Sequence, residues 1–457
     1  MDGIAAGFDW ARFEDALVDG MVGAVRAAVA SEPGERFYAA ALSDIYSETD
    51  GVISLPLLGM DTVSALADRG EDDDELQWSP ADWEVVDDDW LPEGEGRAWR
   101  QALTAHACRG STADWDAAYD EYLATLVRAC LRSRAILCEE LDDFLVVLID
   151  DVRTEKLIRA TMTAQEVRRH FPFFDRRAAE AARVAALPPA EQVAYHVGRL
   201  DDPYTWEEAE SSLRALGSAA VPALLPMLAT PGSARGAARV LADIGRADDA
   251  VTGALAGALT RQEGPDQAWI ARALCRLGCG HLVLAKASGL PDDVVVSAIA
   301  APYASFRDHA VQSLPLDYQP LADSLEHRPQ YTAALIKELG PGHGECKIRP
   351  SEVDEALRGL TSPHVLIRSH AVRILGDRDL GPAAAPVILS RLATVAREDP
   401  DAGIRRLAIL SIHWWSNDAR HYASVIRDAR DNDPDPEVRD AATWSLHQAA
   451  ARETGAL

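Results

Sequence analysis

The residues best suited to chemistry lie between Glu71 and Glu95, where carboxylates and tryptophans are interleaved. This stretch holds twelve acidic side chains and no lysine or arginine. Carboxylates attract a cationic partner over long distances, and aromatic side chains anchor it at short range. The candidate partner-binding residues here are Asp72, Asp73, Asp74, Trp78, Trp83, Asp87, Asp88, Asp89 and Trp90. The other interpretation is a solvated acidic loop whose tryptophans turn into the core.

Metal binding is the second chemistry that the residue types suggest. Asp72-Asp73-Asp74 lacks the alternating ligand positions and the glycine of a calcium-binding EF-hand loop. Cys275, Cys279 and His281 are soft ligands, but the short paired spacing of zinc sites is missing. We therefore expect inert buried thiols, no bound metal and no cofactor.

A pair of tryptophans, Trp414 and Trp415, follows His413 at the end of an otherwise aliphatic helix. One interpretation is an aromatic patch that faces a partner, and the other is packing against the neighbouring helices. Both tryptophans are candidate partner-binding residues.

Catalytic signatures are missing from the sequence. It has no phosphate-binding Gly-Lys-Ser loop, no Gly-x-Ser-x-Gly elbow and no His-Glu-x-x-His motif. We therefore expect a protein that binds rather than an enzyme.

Charge indicates the kind of partner. The 457 residues include 73 acidic and 45 basic side chains, which gives a net charge of −28. Such a surface repels nucleic-acid phosphates and anionic lipids and attracts basic proteins. We expect a basic protein partner, no nucleic acid and no membrane.

The location expected from the sequence is the cytoplasm. The amino terminus has no basic segment followed by an apolar one, as a secretion signal would. The apolar run from Phe144 to Ile149 is too short to cross a bilayer. Six cysteines spread over the chain are typical of reduced thiols rather than of a disulfide framework.

Residues 1–185 show a mixed pattern of helices and strands. Phe13, Leu17, Val18, Met21, Val22 and Val25 share one face of a predicted helix. Further helices are predicted near 62–68, 95–108 and 114–138, and strands at 36–42, 52–55, 76–78 and 144–149. Because strands and helices do not alternate regularly, we predict an α+β domain.

Residues 188–457 contain a repeat. Ile367-Arg368-Ser369-His370-Ala371 returns as Ile404-Arg405-Arg406-Leu407-Ala408 and as Val438-Arg439-Asp440-Ala441-Ala442. A period of this size is typical of stacked helix pairs, each of which needs its neighbours to bury its apolar face. The sequence therefore predicts an all-α second domain.

This repeat resembles the HEAT family of α-solenoids, most clearly over 208–280 and 352–450, with a degenerate stretch at 290–350. The resemblance implies a right-handed superhelix. It also implies that Arg368, Arg405 and Arg439 bond to an aspartate or a turn carbonyl of a neighbouring repeat. These arginines would then be a structural ladder rather than a binding site.

The amino-terminal region resembles a bacterial domain family of unknown function that has a Phe-Tyr strand and a Trp-Ser-Pro-x-x-Trp segment. The matching residues are Phe37-Tyr38-Ala39-Ala40-Ala41-Leu42 and Trp78-Ser79-Pro80-Ala81-Asp82-Trp83. Members of that family occur among immunity-type proteins encoded near polymorphic toxins. The resemblance implies no catalytic residue.

The function expected from these observations is non-catalytic protein binding, in particular an immunity protein that covers a basic toxin. Two alternatives stay open. One is a scaffold or regulatory adaptor of a bacterial protein complex, and the other is a HEAT-like lyase or modifying enzyme.

Overall fold

The computed structural model is mostly helical and describes residues 8–47, 52–69, 77–92, 94–109, 112–150, 153–305, 307, 311, 314–340 and 346–454. These residues form two compact units. The first contains the described residues up to Glu180, together with Ser416–Arg420 and those from Leu446 onward. The second contains Ala181–Trp415 and His421–Ser445. Among the described residues, no helix has the length and apolar character to cross a membrane.

The first unit has a four-stranded sheet. Its strands are β1 (Phe37–Ser43), β2 (Leu57–Thr62), β3 (Val85–Asp87) and β4 (Leu145–Leu148). Their order is β3-β2-β1-β4, with β1 parallel to β4 and the other two pairs antiparallel. The sequence correctly predicts β1 and β4 and misses the position of the other two.

Two predicted strands are wrong. Residues 52–55 contribute only an isolated bridge between Ile53 and Ser47, and the Ile53 N–H donates to the Thr104 hydroxyl at 3.2 Å instead of to a strand. The partner of β1 is β2, five residues further along the chain. Of the predicted strand at 76–78, Leu76 lies outside the described residues, and Trp78 lies in a turn rather than a strand.

Helices cover both faces of this sheet. In chain order they are α1 (Trp10–Ser31), α2 (Val63–Arg69), α3 (Glu95–Ala107), α4 (Thr112–Leu137), α5 (Thr154–Thr161), α6 (Ala164–His170) and α7 (Pro172–Ala185). The period-two alternation of a strand divides β1 between the two cores: Ala40 and Leu42 face α1 and α4, while Ala39 and Ala41 face the opposite layer. The predicted apolar face of α1 is confirmed, because all six of its residues are buried.

The second unit has no strand among its described residues. Its helices are α8 (Pro189–Val197), α9 (Trp206–Leu216), α10 (Val221–Met227), α11 (Ala234–Ile244), α12 (Asp249–Ala258), α13 (Gly264–Arg276), α14 (Gly280–Leu284), α15 (Asp292–Ala300), α16 (Gln319–His327), α17 (Thr332–Glu338), α18 (Val353–Gly359), α19 (Val365–Ile374), α20 (Ala385–Glu398), α21 (Ala402–Trp414), α22 (Ala423–Asn432) and α23 (Pro436–Thr454), of which the residues up to Ser445 belong to this unit. Alternate helices pack on one another: α9 on α11, α11 on α13, α13 on α15, and later α19 on α21.

Small residues and glycines fit this packing. Ala237, Ala238 and Ala271 are fully buried between neighbouring helices. Gly245, with φ of 70°, ends α11, and Gly278, with φ of 76°, follows α13. A left-handed backbone at these positions favours glycine and lets the chain reverse into the next helix.

Candidate functional site

The three predicted tryptophans of the acidic segment are core residues. Trp78, Trp83 and Trp90 are only 7%, 4% and 6% exposed. The indole N–H of Trp83 donates to the Gln77 carbonyl at 3.2 Å, and that of Trp90 donates to the Pro56 carbonyl at 2.9 Å. The structure therefore agrees with the second interpretation, in which the tryptophans turn into the core. Partner binding by these rings stays a prediction, and their burial does not favour it.

A glycine in β2 makes room for one of these rings. A Cβ on Gly59 would lie 3.0 Å from the Trp83 ring and 3.4 Å from the Pro80 side chain. Trp83 thus packs directly on the sheet, next to Trp78 at a ring distance of 6.4 Å. The Trp-Ser-Pro-x-x-Trp segment closes one face of the sheet in this structure.

The carboxylates of the segment lie away from that core. Asp88 and Asp89 are exposed and Asp87 is half-buried, at the end of the edge strand β3. The Asp89 N–H donates to the Asp87 carboxylate at 2.8 Å. Charged side chains on an edge strand prevent pairing with another sheet. Asp72, Asp73 and Asp74 lie outside the described residues.

The second tryptophan pair divides between core and surface. Trp415 is fully buried, and its indole N–H donates to the Leu375 carbonyl at 2.8 Å. Trp414 is half-buried, with its ring 6.3 Å from that of Trp444, which is 41% exposed. The aromatic surface is therefore formed by Trp414 and Trp444, and sequence reasoning missed Trp444 because it stands alone in a helix of mixed polarity.

The repeated arginines form a chain of bonds between successive helix pairs. Arg368 donates to both carboxylate oxygens of Asp399, at 2.8 and 3.2 Å, and to the Ser362 carbonyl at 2.9 Å. Arg405 does the same with Asp433, at 2.8 and 2.9 Å, and with the Asp399 carbonyl at 2.9 Å. Each guanidinium thus joins the turn before its own helix to the turn of the next pair.

Arg439, the third repeated arginine, forms the bonds to the turn before its own helix. Arg439 donates to the carbonyls of Asp433 and Pro434 at 2.7 and 3.0 Å. No described carboxylate from a following helix pair forms an ion pair with it.

The aspartates of this ladder were not singled out from the sequence. Asp399 and Asp433 each begin an Asp-Pro-Asp triplet, which is the signal that identifies them. The first aspartate receives the arginine, and the third begins the helix: the Asp401 carboxylate accepts the Ile404 N–H at 3.1 Å. The Arg405 guanidinium lowers the pKa of Asp433, so this carboxylate is ionised at neutral pH.

A different polar network replaces the ladder in the stretch that the sequence marks as degenerate. The Arg307 guanidinium donates to the Glu352 carboxylate at 2.7 Å, and both side chains are 6% exposed. The Tyr318 hydroxyl lies 2.7 Å from His370 Nδ1, and His370 Nε2 lies 2.8 Å from the Tyr303 carbonyl. Because burial lowers the pKa of His370 to about 3, its ring is neutral, accepting at Nδ1 and donating at Nε2.

A cavity of about 790 Å³ lies beside this network in the second unit. Its apolar wall includes Leu284 and Ile299. Its polar lining includes His281, Asp317, Asp323, His327 and Arg328. Charges of both signs face this space.

One cysteine, Cys275, lines this cavity. Burial raises the pKa of Cys275 to about 12, so its thiol is protonated at neutral pH and is a weak nucleophile. Within the described ranges, no three His, Cys, Asp or Glu side chains are grouped so as to hold a metal ion.

A stack of arginine and tryptophan joins three helices of the second unit, α9, α11 and α13. The Arg239 guanidinium lies 4.3 Å from the Trp206 ring centre and 5.0 Å from that of Trp269. Arg272 lies 4.9 Å over the Trp269 ring. All four side chains are half-buried. Tryptophan and arginine are the residues most enriched at the energetic centres of protein interfaces.

Comparisons with known proteins add little to this description. No protein-family model matches the chain, and no curated protein sequence matches it at the significance threshold. A structure of human deoxyhypusine hydroxylase in complex with glycerol is 19% identical and covers 57% of this chain and 97% of that chain, with a TM-score of 0.24. At that TM-score the likeness supports no argument about function or site residues.

Proposed function

We infer that the second unit is a HEAT-like solenoid. Support comes from the packing of alternate helices and from the arginine–aspartate bonds that recur between successive pairs. A solenoid of this kind presents an extended surface built from many helices, which suits the binding of another macromolecule.

We propose that the chain is a non-catalytic protein-binding protein whose partner is basic. The observation that carries this proposal is the net charge of −28. The buried arginines, Arg307, Arg368 and Arg405, each neutralise one carboxylate inside the fold. Because these pairs cancel, the whole negative excess lies on the other side chains, and a cationic protein would be attracted to them.

The half-buried aromatic side chains support the same proposal. Trp206 and Trp269 on one side, and Trp414 and Trp444 on another, give the second unit surfaces that a partner would desolvate.

All six cysteines are free thiols, which supports a cytoplasmic location.

Within this proposal, we assign the chain as an immunity protein that covers a basic toxin. The support is the resemblance of residues 37–42 and 78–83 to a domain family found among such proteins. The mechanism is steric cover with electrostatic attraction, and no covalent step is involved.

The test is affinity purification of the chain from its native host, followed by mass spectrometry and by affinity measurements on the purified complex. We expect a basic protein partner whose dissociation constant rises steeply between low and high salt. Asp88→Asn with Asp89→Asn should weaken the complex if the edge of β3 faces the partner. Asp293→Asn with Asp354→Asn removes the same charge from exposed sites of the second unit, away from Trp414 and Trp444 in the chain, and is the matched control. A chain without a basic partner, or a complex indifferent to salt, would overturn the proposal.

A further inference from the structure

A second cavity, of about 460 Å³, lies in the first unit at the carboxyl ends of the parallel strands β1 and β4. Tyr46 follows β1, and Asp150 and Arg153 follow β4. The carboxyl edge of parallel strands is where open sheets commonly bind ligands. The volume falls within the range of about 300–1,000 Å³ that is usual for small-ligand sites.

One face of α4 closes the cavity from the side. Trp115 and Tyr119 are one helical turn apart, and their rings stack 5.1 Å apart with an angle of 12°. They are 7% and 8% exposed, so their packing fixes the aromatic wall. Tyr46, at 46% exposed, also lines the cavity.

Carboxylates surround this aromatic wall. Asp150 lies inside the cavity and is 7% exposed, while Asp116 and Asp120 are exposed at its rim. Aromatic faces together with carboxylates are the chemistry that binds organic cations, because the ring quadrupole and the negative charge both attract a positive group.

The protein places one of its own cations in this cavity. The Arg153 guanidinium lies 5.6 Å from the centre of the Tyr119 ring, and its Nη1 lies 3.5 Å from Asp150 Oδ2. The Arg153 side chain is 39% exposed. The pair with Asp150 is long and its arginine half is solvated, so the cation of another molecule can compete with Arg153 for this carboxylate.

We propose that this cavity binds an arginine side chain of the basic partner, with its guanidinium against the Tyr119 ring and between Asp150 and the rim carboxylates. The source of the arginine rests on the proposed function. The preference of the cavity for a planar cation does not, because it follows from the aromatic wall and the carboxylates alone.

The test uses N-acetyl-arginine amide as the probe, titrated into the full chain by isothermal calorimetry and ligand-observed NMR. We expect saturable, weak binding, with the neutral isostere N-acetyl-citrulline amide at least about tenfold weaker, since it lacks the charge. Asp116→Asn and Asp120→Asn should each weaken arginine binding about two- to fivefold. Asp142→Asn, an exposed carboxylate before the opposite end of β4, is the matched control and should have no effect.

Arg153→Gln gives the sharpest result. Removing the internal guanidinium should strengthen probe binding several-fold, whereas an acidic surface that attracts cations without specificity would respond little to the loss of one arginine. Absence of saturable binding in both wild type and Arg153→Gln, or equal binding of the arginine and citrulline probes, would overturn the proposed site.

A second measurement separates this proposal from the proposed function. If the probe binds as expected and no basic protein partner exists, the site stands and the function fails. If a basic partner binds with the same affinity to wild type and to the Asp116→Asn with Asp120→Asn variant, and the probe does not compete, the function stands and this site fails.

Discussion

Replacing Arg405 by methionine should destabilise the carboxyl-terminal helix pairs far more than any surface substitution. The substitution keeps most of the aliphatic stem and removes the guanidinium. It breaks both bonds to the Asp433 carboxylate and the bond to the Asp399 carbonyl. The Asp433 side chain, 7% exposed, would then be a buried carboxylate without its cation.

The size of the effect follows from burial. Removing one partner of a buried ion pair costs about 3–5 kcal/mol, because the other charge stays desolvated. A loss of about 3 kcal/mol raises the equilibrium constant for local opening by roughly 100-fold. Asp433→Asn should cost less, since the amide oxygen still accepts the Asp435 N–H that the carboxylate accepts at 2.9 Å.

Hydrogen exchange followed by mass spectrometry is the suitable assay, because repeat units open locally and a single global transition is not assured. We expect faster exchange in α21, α22 and α23. Arg430→Ala is the control, since its pair with Asp431 is exposed on both sides and should contribute nothing measurable. The combination of Arg405→Met and Asp433→Asn should cost clearly less than the sum of the single changes.

Two results would refute this reasoning. One is an Arg405→Met protein whose exchange matches that of Arg430→Ala, and the other is strict additivity in the double variant. The pH dependence is a further check. Because Arg405 lowers the pKa of Asp433, the stabilisation is complete at neutral pH and is lost as the pH falls from about 4 through the lowered value.

Three further outcomes are expected. Burial lowers the pKa of His370 to about 3, so below about pH 6.5 the unfolded chain binds a proton that the folded chain does not. The urea concentration at the unfolding midpoint should therefore decrease as the pH is lowered from 7 to 5, and His370→Gln should make this decrease smaller. Trp415→Phe should cost about 2–3 kcal/mol of local opening free energy through a lost bond and a cavity, while the same change at half-buried Trp414 should cost less than about 1 kcal/mol, as hydrogen exchange in α21 would show. Gly59→Ala should destabilise the first unit by about 1–3 kcal/mol, because its Cβ would meet Trp83 at 3.0 Å, and an unchanged melting temperature would contradict that.

Sequence periodicity predicts well where one face of an element is buried. The six apolar residues of α1 are of this kind, whereas the uninterrupted apolar run of β4 is typical of a strand buried on both faces, and all of these residues are buried. It failed at β2, which contains Gly59 and a fully buried Asp61. Both residues are rare in strands, and Asp61 is tolerated there because the Tyr38 hydroxyl donates to its carboxylate at 2.7 Å. That long-range bond is invisible to a local pattern.

The candidate sites, like the fold, could be predicted from the sequence only in part. Composition suggested that the tryptophans of the acidic segment would serve as anchors, but a tryptophan looks the same in a sequence whether it covers a core or a surface. The cavity at Tyr46, Trp115 and Asp150 combines residues from three separated segments. No spacing rule connects them, because the pairing of β1 with β4 and the packing of α4 against β4 bring those segments together.

The Asp-Pro-Asp turns have a consequence for how this chain can change in length. Asp399 and Asp433 occupy equivalent positions, each receiving the arginine of the preceding helix pair. Deletion of residues 400–433 would remove one whole pair and leave Asp399 followed by Pro434 and Asp435, so that Arg368 would keep its partner. A deletion of half that length would leave a buried guanidinium without one. Helix pairs should therefore be gained or lost as complete pairs, so that the arginine of one pair and the aspartate of the next are retained together.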